Sequence, residues 1–589
     1  MVVSRIDYDD LMFLGRSARS AFRAEAMGQP ERKAVYHPDS LKGLRGAVHL
    51  TLRRNGAVKA EAESEEMDAV DASIAAGTLL ALDAAERKFD IADGGDRLGI
   101  EFEWLSSREY LQIDCFEKPG VWSEALLHSF EPAEEGIGVE LRGKRGRTRP
   151  SEITTKNLTP DVALAAAEAS IDLKSIHKLR FEKDIRYFRF WSEHLWQPNA
   201  KELPIVLHRG DSLVSTDAVS REGLDAAIAR VGQYLVYRQN NNGEFSHEYV
   251  PSAGTYTSGN SARVQLRALE GLAIYAFWTK DRNQGARASH GIDTFKKHLE
   301  PLVVGEKQAD GTVIEKELGV VLAPAGHQGH LEITCRLLLA MTLSLNPGEF
   351  ERDRDRLVNG LLALQTDLGV IAMAADEGDA NSGPSLNDTD CCRALHALAL
   401  VDSMKSDDRI TSAVHRGIRY YEDKCRAGLE PAAAAALVRA LCLHYAKSND
   451  ARVSDMAFFL ADRFASLQLT ELNYPYPEML GAINVKRPGE VGADTGIYLM
   501  ALGDAAELAD RIGDRERSLR YRKAVAGATR FIMQLEVREA GCFFIRSRRD
   551  ALGGIRSALW NGRLRADHTA LGLEALIRAR TVLFGSRAE

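Results

Sequence analysis

The chain has 589 residues, of which 45% are hydrophobic and 27% charged, and its formal net charge is -8. This composition is typical of soluble globular proteins and lacks the excess of positive charge that marks a nucleic-acid-binding surface. The length exceeds one ordinary core and predicts several domains or one large repeat. No window is apolar enough to span a bilayer, and the first residues lack the pattern of a secretory signal. We therefore expect a cytoplasmic protein without membrane or nucleic-acid partners, and its oligomeric state stays open.

The cysteines are scattered, with no CxxC pair and no spacing typical of a metal site. They are Cys115, Cys335, Cys391, Cys392, Cys425, Cys442 and Cys542. This usage predicts free, mostly buried thiols. The sequence predicts no cofactor.

Residues 1–175 mix short β-like runs with Ala-rich helical stretches. The runs "GAVHLTL", "RLGIEFEWL" and "GIGVELRG" carry β-branched and aromatic residues between Gly and charged turns, whereas "MDAVDASIAAGTLLALDAAER" is helical. This mixture predicts a small α+β domain.

The order of these segments resembles the AMMECR1-like domain, a small α+β family with a Leu-Arg-Gly-Cys-Ile-Gly stretch. Leu44, Arg45 and Gly46 match the start of that stretch, but residues 47–49 read Ala-Val-His. A role carried by the family's cysteine therefore does not transfer to this chain. The resemblance covers about the first 175 residues and implies a scaffolding or regulatory role.

The remaining chain divides into a short and a long segment. Residues 176–215 are rich in aromatic residues and are predicted to bridge two domains. Residues 216–589 show helical periodicity almost throughout. The periodicity predicts helices near 219–239, 260–279, 290–303, 327–346, 350–366, 388–404, 409–425, 430–447, 451–468, 491–512, 515–536 and 565–583.

The connections between these helices alternate between short and long. Long connections follow most odd-numbered helices, at 240–259, 304–326, 367–387, 469–490 and 537–564. In a closed ring of helix hairpins these loops share one face, which predicts a functional mouth. Several of the long loops begin with a Gln a few residues before a Gly and an apolar residue, as in "YRQNNNGEF" and "LQTDLGVI".

This pattern resembles the (α/α)6 toroid of the six-hairpin glycosidases, over about residues 215–585. The predicted fold class is thus multidomain, with a small α+β domain followed by a large all-α toroid that serves as the catalytic domain. An open α-solenoid is the alternative, although solenoid connections do not alternate so strongly.

The first long loop combines carboxylates, aromatic residues and polar groups at a helix start. Glu244 and Glu248 are the catalytic candidates there. Charged and amide groups that pair with hydroxyls, together with aromatic planes, suit a sugar ligand. The substrate-binding candidates in this loop are His247, Tyr249, Tyr256, Asn260 and Arg263.

Later loops supply further candidates. Asp567, beside Arg565 and His568, starts the last helix, which faces the first helix hairpin in a closed ring. Two carboxylates from neighbouring hairpins could perform general acid and base catalysis. The further substrate-binding candidates are His327, His330, Glu332, Asp388, Tyr474, Tyr476, Glu478, Trp560, Arg565 and His568. His327, His330 and Glu332 do not follow the usual zinc motif, and no metal is expected at them.

The predicted function is a carbohydrate-active enzyme, most directly a glycoside hydrolase that acts on a carbohydrate or a similar polar substrate. The alternatives on the same fold are a uronate epimerase or a polysaccharide lyase, since all three place acid and base groups in such a cavity. A non-catalytic receptor for glycans or peptides, or a scaffold, is the alternative from another class. Isoprenoid chemistry fits less well because this mouth is polar.

Overall fold

The computed structural model describes residues 6–29, 37–91, 95–111, 116–118, 121–122, 130–171, 185–307, 313–324, 330–372, 387–485 and 491–585. Cys115 and His327 lie outside the described residues, and of His330 only the backbone is described. The other six cysteines are free, and all but Cys442 are buried, as predicted.

Among its described residues, the N-terminal part contains four α-helices and a large sheet. The helices are α1 (Tyr8–Ala26), α2 (Ala69–Glu86), α3 (Pro150–Lys156) and α4 (Pro160–Ala169). The strands are β1 (Arg45–Arg54), β2 (Ala57–Glu63), β3 (Met67–Asp68), β4 (Gly99–Leu111), β5 (Phe116–Lys118), β6 (Val121–Trp122), β7 (Glu135–Leu141), β8 (Lys144–Thr148), β9 (Arg186–Gln197) and β10 (Ile205–Leu207).

Eight of these strands form one antiparallel sheet in the order β2-β1-β4-β9-β7-β8, with β3 on β1 and β10 on β9. Helices α1 and α2 pack on each other, and their buried apolar residues share a core with β1 and β4. Leu14, Phe22 and Leu80 from the helices lie in this core with Val48 and Phe102 from the strands. The predicted mixture of helices and strands is therefore present.

Strand β9 lies within the segment 176–215 predicted to bridge two domains. It pairs with β4 on one side and β7 on the other, so it lies inside the N-terminal sheet. The aromatic side chains of Phe188 and Phe190 are 1% and 2% exposed because they face the sheet's own core. Arg186–Gln197 is therefore a strand of the N-terminal sheet and not a separate connector. Its His194 and Trp196 also contact Phe543 of the ring, so its bridging role stays a prediction.

In the part that the structure describes, the rest of the chain forms twelve main helices, joined in pairs. In chain order they are α5 (Arg221–Arg238), α6 (Ala262–Thr279), α7 (Arg282–Phe295), α8 (His330–Thr342), α9 (Glu351–Ala363), α10 (Asp388–Met404), α11 (Asp408–Gly428), α12 (Pro431–Ser448), α13 (Ala451–Ser466), α14 (Thr495–Ile512), α15 (Arg515–Leu535) and α16 (Ala566–Phe584).

The even-numbered helices α6 to α16 form a closed inner ring. Each packs against the next, and the last of them, α16, packs against the first, α6. The odd-numbered helices lie outside and are more polar on their outer sides, as α11 shows with buried Ile410, Val414 and Ile418 on one stripe. Ring closure excludes the open solenoid and confirms the toroidal arrangement of the helices.

Short connections begin the outer helices with acidic caps. The side chains of Asp281, Asp407, Asp450 and Asp514 accept hydrogen bonds from backbone N–H groups of the following first turn. These caps satisfy donors that a helix start leaves unpaired. Because Asp is a preferred capping residue, these helix starts can be recognised in the sequence.

The long loops are anchored by a repeated glutamine contact. The amide of Gln239 donates to the carbonyls of Gly243 and, on α7, Arg287 at 3.1 and 3.0 Å. Gln365 makes the same pair of bonds to Gly369 and to Ala413 of α11 at 2.9 and 2.7 Å. The recurring glutamine therefore ties the start of a loop to the next outer helix and fixes the loops on one face.

The region 290–322 differs from the prediction. Helix α7 ends at Phe295, and two strands follow, β13 (Leu299–Lys307) and β14 (Val313–Leu322), which pair antiparallel. A Cβ atom on Gly319 would lie 2.1 Å from the backbone nitrogen of Gly360 on α9, so the missing side chain lets the hairpin contact that helix. The helix predicted at 290–303 is thus wrong beyond Phe295.

Candidate functional site

The first and last long loops meet in a small sheet that closes the ring. It consists of β11 (Glu248–Val250), β12 (Thr255–Tyr256) and β15 (Leu564–Arg565). In this sheet Glu248 pairs with Arg565, and Tyr249 pairs with Leu564. The structure therefore brings together the loop of Glu248 and the loop of Asp567, as the sequence predicted for a closed ring.

Asp567 is held in its ionised form. Arg565 donates from Nε and Nη2 to the two carboxylate oxygens of Asp567 at 3.0 and 2.7 Å. Burial alone would raise the pKa of Asp567, but the hydrogen bonds from Arg565 and the nearby His568 lower it. Asp567 is consequently a carboxylate at neutral pH.

His568 is oriented by a hydrogen-bond chain. Its Nδ1 lies 2.9 Å from Oγ of Ser557, and that hydroxyl donates to the carbonyl of Arg563 at 3.3 Å. Because the hydroxyl proton is used on the carbonyl, Nδ1–H of His568 is the donor to Ser557, and Nε2 is left unprotonated. Burial lowers the pKa of His568, and the opposing charges of Asp567 and two other carboxylates do not restore it. A neutral imidazole in this state can accept a proton.

Asp567 and His568 line a cavity of about 240 Å³ inside the ring. Asp494 and Asp567 stand at the starts of the adjacent inner helices α14 and α16. The other lining residues come from the inner helices, and they are Arg267, Glu270, Arg336, Leu339, Arg393, His396, Ala432, Ala436, Arg439, Ile497, Met500 and Leu571.

Buried ion pairs cross the interior of the ring. Arg439 on α12 donates from Nη1 to Glu574 on α16 at 3.1 Å, and Arg267 on α6 also bonds Glu574. Arg267 and Arg336 both contact Glu270, with N–O distances of 2.9 and 2.8 Å. Because α12 and α16 are not neighbours in the ring, these pairs span the ring's interior beside the cavity.

Arginine side chains cluster with carboxylates on the side of the cavity formed by α8 and α10. Arg336 and Arg393 both contact Glu332, each at 2.9 Å, and Arg263 contacts it at 3.1 Å. Burial, together with the positive charge of Arg336, lowers the pKa of Arg393. Arg393 is also paired with Asp390, at 3.0 Å. Glu332 itself is engaged by these three arginines, which fixes their side chains.

Of the first-loop candidates, Glu248 contacts the last long loop and Glu244 does not, and neither is among the described residues that line the cavity. Arg563 donates from Nη1 to Glu248 at 3.0 Å. Glu244 instead accepts from Nδ2 of Asn242 at 2.8 Å and of Asn260 at 3.5 Å. Glu244 is absent from the described residues that line the cavity. Its catalytic role stays a prediction without a contact to support it.

The aromatic residues of the first loop stack on one another. The ring centroids of Tyr249 and Tyr256 are 5.0 Å apart, and the guanidinium of Arg238 lies 4.7 Å from the Tyr256 ring. Tyr256 donates from its hydroxyl to Asp550 at 2.6 Å, while Nδ1 of His247 lies 3.4 Å from the hydroxyl of Thr257. These contacts join the first and the last long loop, so the side chain of Tyr249 packs the two loops together.

The candidates of the long loop at 469–490 face the N-terminal part. Tyr474 bonds Glu131, and Arg209 lies over the Tyr476 ring at 5.1 Å. Arg209 also donates to Glu478 at 2.8 Å, and Glu478 is 0% exposed. A substrate in the cavity cannot reach the carboxylate of Glu478 in this state, which corrects its assignment to substrate binding.

Trp560 and Asp388 are likewise engaged elsewhere. Trp560 packs against an apolar cluster of the N-terminal part that includes Ile137 and Ile153. Asp388 accepts from the hydroxyl of Tyr421 and from Nζ of Lys424, both at 3.0 Å. These two residues therefore hold elements together, and neither lines the cavity among the described residues.

The interior of the ring carries charged and polar residues that were not predicted as site residues from the sequence. Arg267, Arg336, Arg393, Arg439 and His396 line the cavity but were not candidates. Their signal was present, since each lies on a helix of the otherwise apolar inner ring. Asp494 gave a weaker signal, because it only precedes a helix that follows a long loop.

Comparisons with known proteins found similarity in structure alone. No family model and no curated protein matches the sequence. An alpha-1,6-mannanase, GH76A, from Salegentibacter sp. HEL1_6 has 12% identity and a TM-score of 0.44, over 61% of this chain and 99% of that one. An unsaturated glucuronyl hydrolase specific for heparin has 12% identity and a TM-score of 0.41, over 61% of this chain and 97% of that one.

An uncharacterized protein from Pyrococcus horikoshii is similar to a smaller share of the chain. It has 18% identity and a TM-score of 0.29, over 34% of this chain and 98% of that one. At these identities and TM-scores the similarities assign no activity. Among the described residues, no helix is both long enough and apolar enough to cross a lipid bilayer.

Proposed function

We propose that this protein is a carbohydrate-active enzyme that hydrolyses a glycosidic bond in the cavity of the helical ring. The observation that carries the proposal is the grouping of Asp567, His568 and Asp494 on two adjacent inner helices around that cavity. Two carboxylates and an oriented imidazole supply the proton transfers that glycosidic hydrolysis needs.

Asp567 and Asp494, two of the three carboxylates that line the cavity, can take different roles. Asp567 is kept ionised by Arg565, which suits a base that removes a proton from the attacking water. Asp494 is then the acid that gives its proton to the glycosidic oxygen as the bond to the sugar carbon breaks. The water oxygen forms the new bond to that carbon, so the charges balance. Glu248 lies behind these groups and is held by Arg563.

The substrate class follows from the arginines on the opposite side. Four arginines line the cavity with three carboxylates, Glu270, Asp494 and Asp567. Arg393 lies beside Arg336 in a buried environment, where an additional anion would be stabilised. We infer that the sugar carries an acidic group, such as a uronate carboxylate, that binds to Arg393 and Arg336.

A second candidate is proton transfer at carbon, as in a uronate epimerase or a lyase. It is favoured by His568, whose Nδ1 is bound to Ser557 and whose Nε2 is a neutral base. A base in this state can remove the proton next to a uronate carboxylate. Epimerisation returns a proton to the other face of that carbon, and elimination expels the neighbouring glycosidic oxygen.

The N-terminal part docks on the loops of the mouth face. Phe543 of the last long loop packs against Trp196, with ring centroids 5.5 Å apart. The side chain of Asn157 accepts a hydrogen bond from the backbone N–H of Gly562 at 2.8 Å. These contacts support a scaffolding role for the proposed AMMECR1-like domain. The division proposed from the sequence has domains at residues 1–175 and 216–589. Because β9 and β10 belong to the N-terminal sheet, we propose that the first domain ends after β10.

The experiment that tests the proposal is turnover of a panel of neutral and uronate-containing oligosaccharides in deuterated water, followed by mass spectrometry. Asp567→Asn is compared with wild type, and Asp423→Asn on the exposed side of α11 is the matched control. Fragments that gain water identify hydrolysis, fragments that lack water identify elimination, and deuterium uptake without cleavage identifies epimerisation. Binding without turnover in wild type would favour a glycan receptor.

A further inference from the structure

Three potential metal ligands converge where the N-terminal part meets the ring. Glu134 precedes β7, His208 follows β10, and Glu478 lies in the loop before α14. One ligand atom of each lies within 4.8 Å of those of the other two. The three residues come from segments far apart in the sequence, and the proposed activity uses none of them.

Glu478 carries an unsatisfied oxygen at this point. The side chain is 0% exposed, and its Oε1 accepts from Nε of Arg209 at 2.8 Å. Its Oε2 has no hydrogen-bond partner among the described residues. That oxygen lies 3.8 Å from Nδ1 of His208. A buried carboxylate oxygen without a partner is costly, so it indicates a missing ligand.

The backbone around the three residues is fixed. His208 and Asp211 exchange backbone hydrogen bonds of 2.7 and 3.2 Å across a tight turn. Arg209 and Gly210 in this turn have φ angles of 47° and 79°, which only a well-supported turn maintains at a non-glycine residue. Arg209 also donates to the carbonyl of Pro132 at 2.5 Å, two residues before Glu134. The candidate ligands are therefore presented by a rigid frame.

We propose that Glu134, His208 and Glu478 bind one divalent transition-metal ion, of the Zn²⁺ class, that fastens the N-terminal part to the helical ring. One imidazole nitrogen and two carboxylate oxygens form a donor set that Zn²⁺ accepts. Bonds of about 2.0–2.2 Å place tetrahedral ligand atoms roughly 3.4 Å apart, so the 3.8 Å pair needs only a small contraction. Arg209 is balanced by Glu131 and Glu478, and the cation offsets the remaining negative charge.

The test uses the full-length chain, stripped with EDTA and then titrated with Zn²⁺. We expect one Zn²⁺ per chain by elemental analysis after dialysis and a higher unfolding temperature on Zn²⁺ addition. Mg²⁺ prefers six oxygen ligands and should give neither effect. Absence of Zn²⁺ above the level of the buffer would overturn the proposal.

His208→Gln is the informative variant because it leaves the ion pair between Arg209 and Glu478 intact. We expect it to weaken Zn²⁺ binding by about tenfold or more, since changes even outside the ligand shell cost 10–100-fold. The exposed His298→Gln is the matched control and should bind like wild type. If His208→Gln is folded by circular dichroism and retains wild-type affinity, the site lies elsewhere and the proposal fails.

Discussion

Arg563 and Glu248 form an ion pair of 3.0 Å between residues 315 positions apart in the chain. The pair stands beside the pairing of Glu248 with Arg565 that joins the first long loop to the last. Ring closure thus places a carboxylate from the first helix hairpin next to Asp567 and His568 from the last. The candidate site exists only because the helices form a closed ring.

Asp567→Asn tests the ionised carboxylate of the cavity. Removing the charge deletes the base that activates water, so we expect kcat/KM to fall by about 100-fold or more, the range of general base catalysis. Circular dichroism shows whether the variant is folded, and steady-state kinetics on the oligosaccharide cleaved by wild type measure kcat/KM. A folded Asp567→Asn that retains activity equal to that of Asp423→Asn would remove Asp567 from the mechanism.

The acidic limb of the pH profile tests His568 as the base of the second candidate, proton transfer at carbon. A base must be neutral, so activity falls as pH drops through its pKa. Burial lowers the pKa of His568 below its usual value of 6.5, which places the limb below pH 6.5. We expect His568→Asn to lose about 100-fold in kcat/KM and to lack this limb. The same limb in both proteins would assign it to another group.

Ser557→Ala tests the orientation of His568. Ser557 holds Nδ1–H of the imidazole and so keeps Nε2 unprotonated. Without the hydroxyl the ring samples both tautomers, and we expect kcat to fall several-fold while KM changes little. A change in KM alone would show that Ser557 contacts substrate and does not position His568.

Glu574→Gln tests the buried ion pairs inside the ring. Glu574 is 6% exposed and is bonded by Arg267 and Arg439, so the variant leaves two buried guanidinium groups facing a neutral amide. Arg267 keeps Glu270 and Arg439 keeps Asp504, so we expect a loss of unfolding free energy below that of a fully broken buried pair, which is about 3–5 kcal/mol. Urea unfolding followed by circular dichroism measures it, with the exposed Glu516→Gln as control. Equal midpoints for the two variants would contradict a stabilising role.

Phe543→Ala tests how the N-terminal part is held on the ring. Phe543 is 2% exposed, and it packs against Trp196 and His194 with centroid distances of 5.5 and 5.6 Å. Truncation of a buried Phe costs about 3–5 kcal/mol, here at the contact between the two parts. We expect calorimetry to show the two parts unfolding in separate transitions. Phe459→Ala, at a residue 52% exposed, should leave the thermogram unchanged.

The helical ring could be predicted because its signals are local. Apolar residues at helical spacing mark α5 to α16, and caps such as Asp407 and Asp514 mark the starts of outer helices. The hairpin β13–β14 was missed because its β-branched residues lie in a stretch first interpreted as helix and loop. The two strands, LEPLVVGEK and VIEKELGVVL, mix charged and apolar residues as a polar loop does.

The candidate site was only partly predictable because it depends on contacts between distant segments. Glu248 and Asp567 could be found, since both stand in long loops that a closed ring brings together. The loop residues Tyr474 and Trp560 carry the same chemical signal, but the N-terminal part covers them. Arg393 was missed because a charged residue on an amphipathic helix usually faces solvent, whereas here it faces the cavity.

The central claim is that the cavity binds an acidic carbohydrate between its arginines and its acid and base groups. Isothermal titration of wild type and Arg393→Gln with a glucuronic-acid disaccharide and its neutral glucose counterpart tests it most directly. The account predicts that wild type binds the acidic sugar more tightly than the neutral sugar. In Arg393→Gln the ratio of the two affinities should be about tenfold smaller, because a hydrogen bond to a charged group contributes about 1.5–3 kcal/mol. Equal binding of both sugars by wild type, or an unchanged preference in Arg393→Gln, would contradict it.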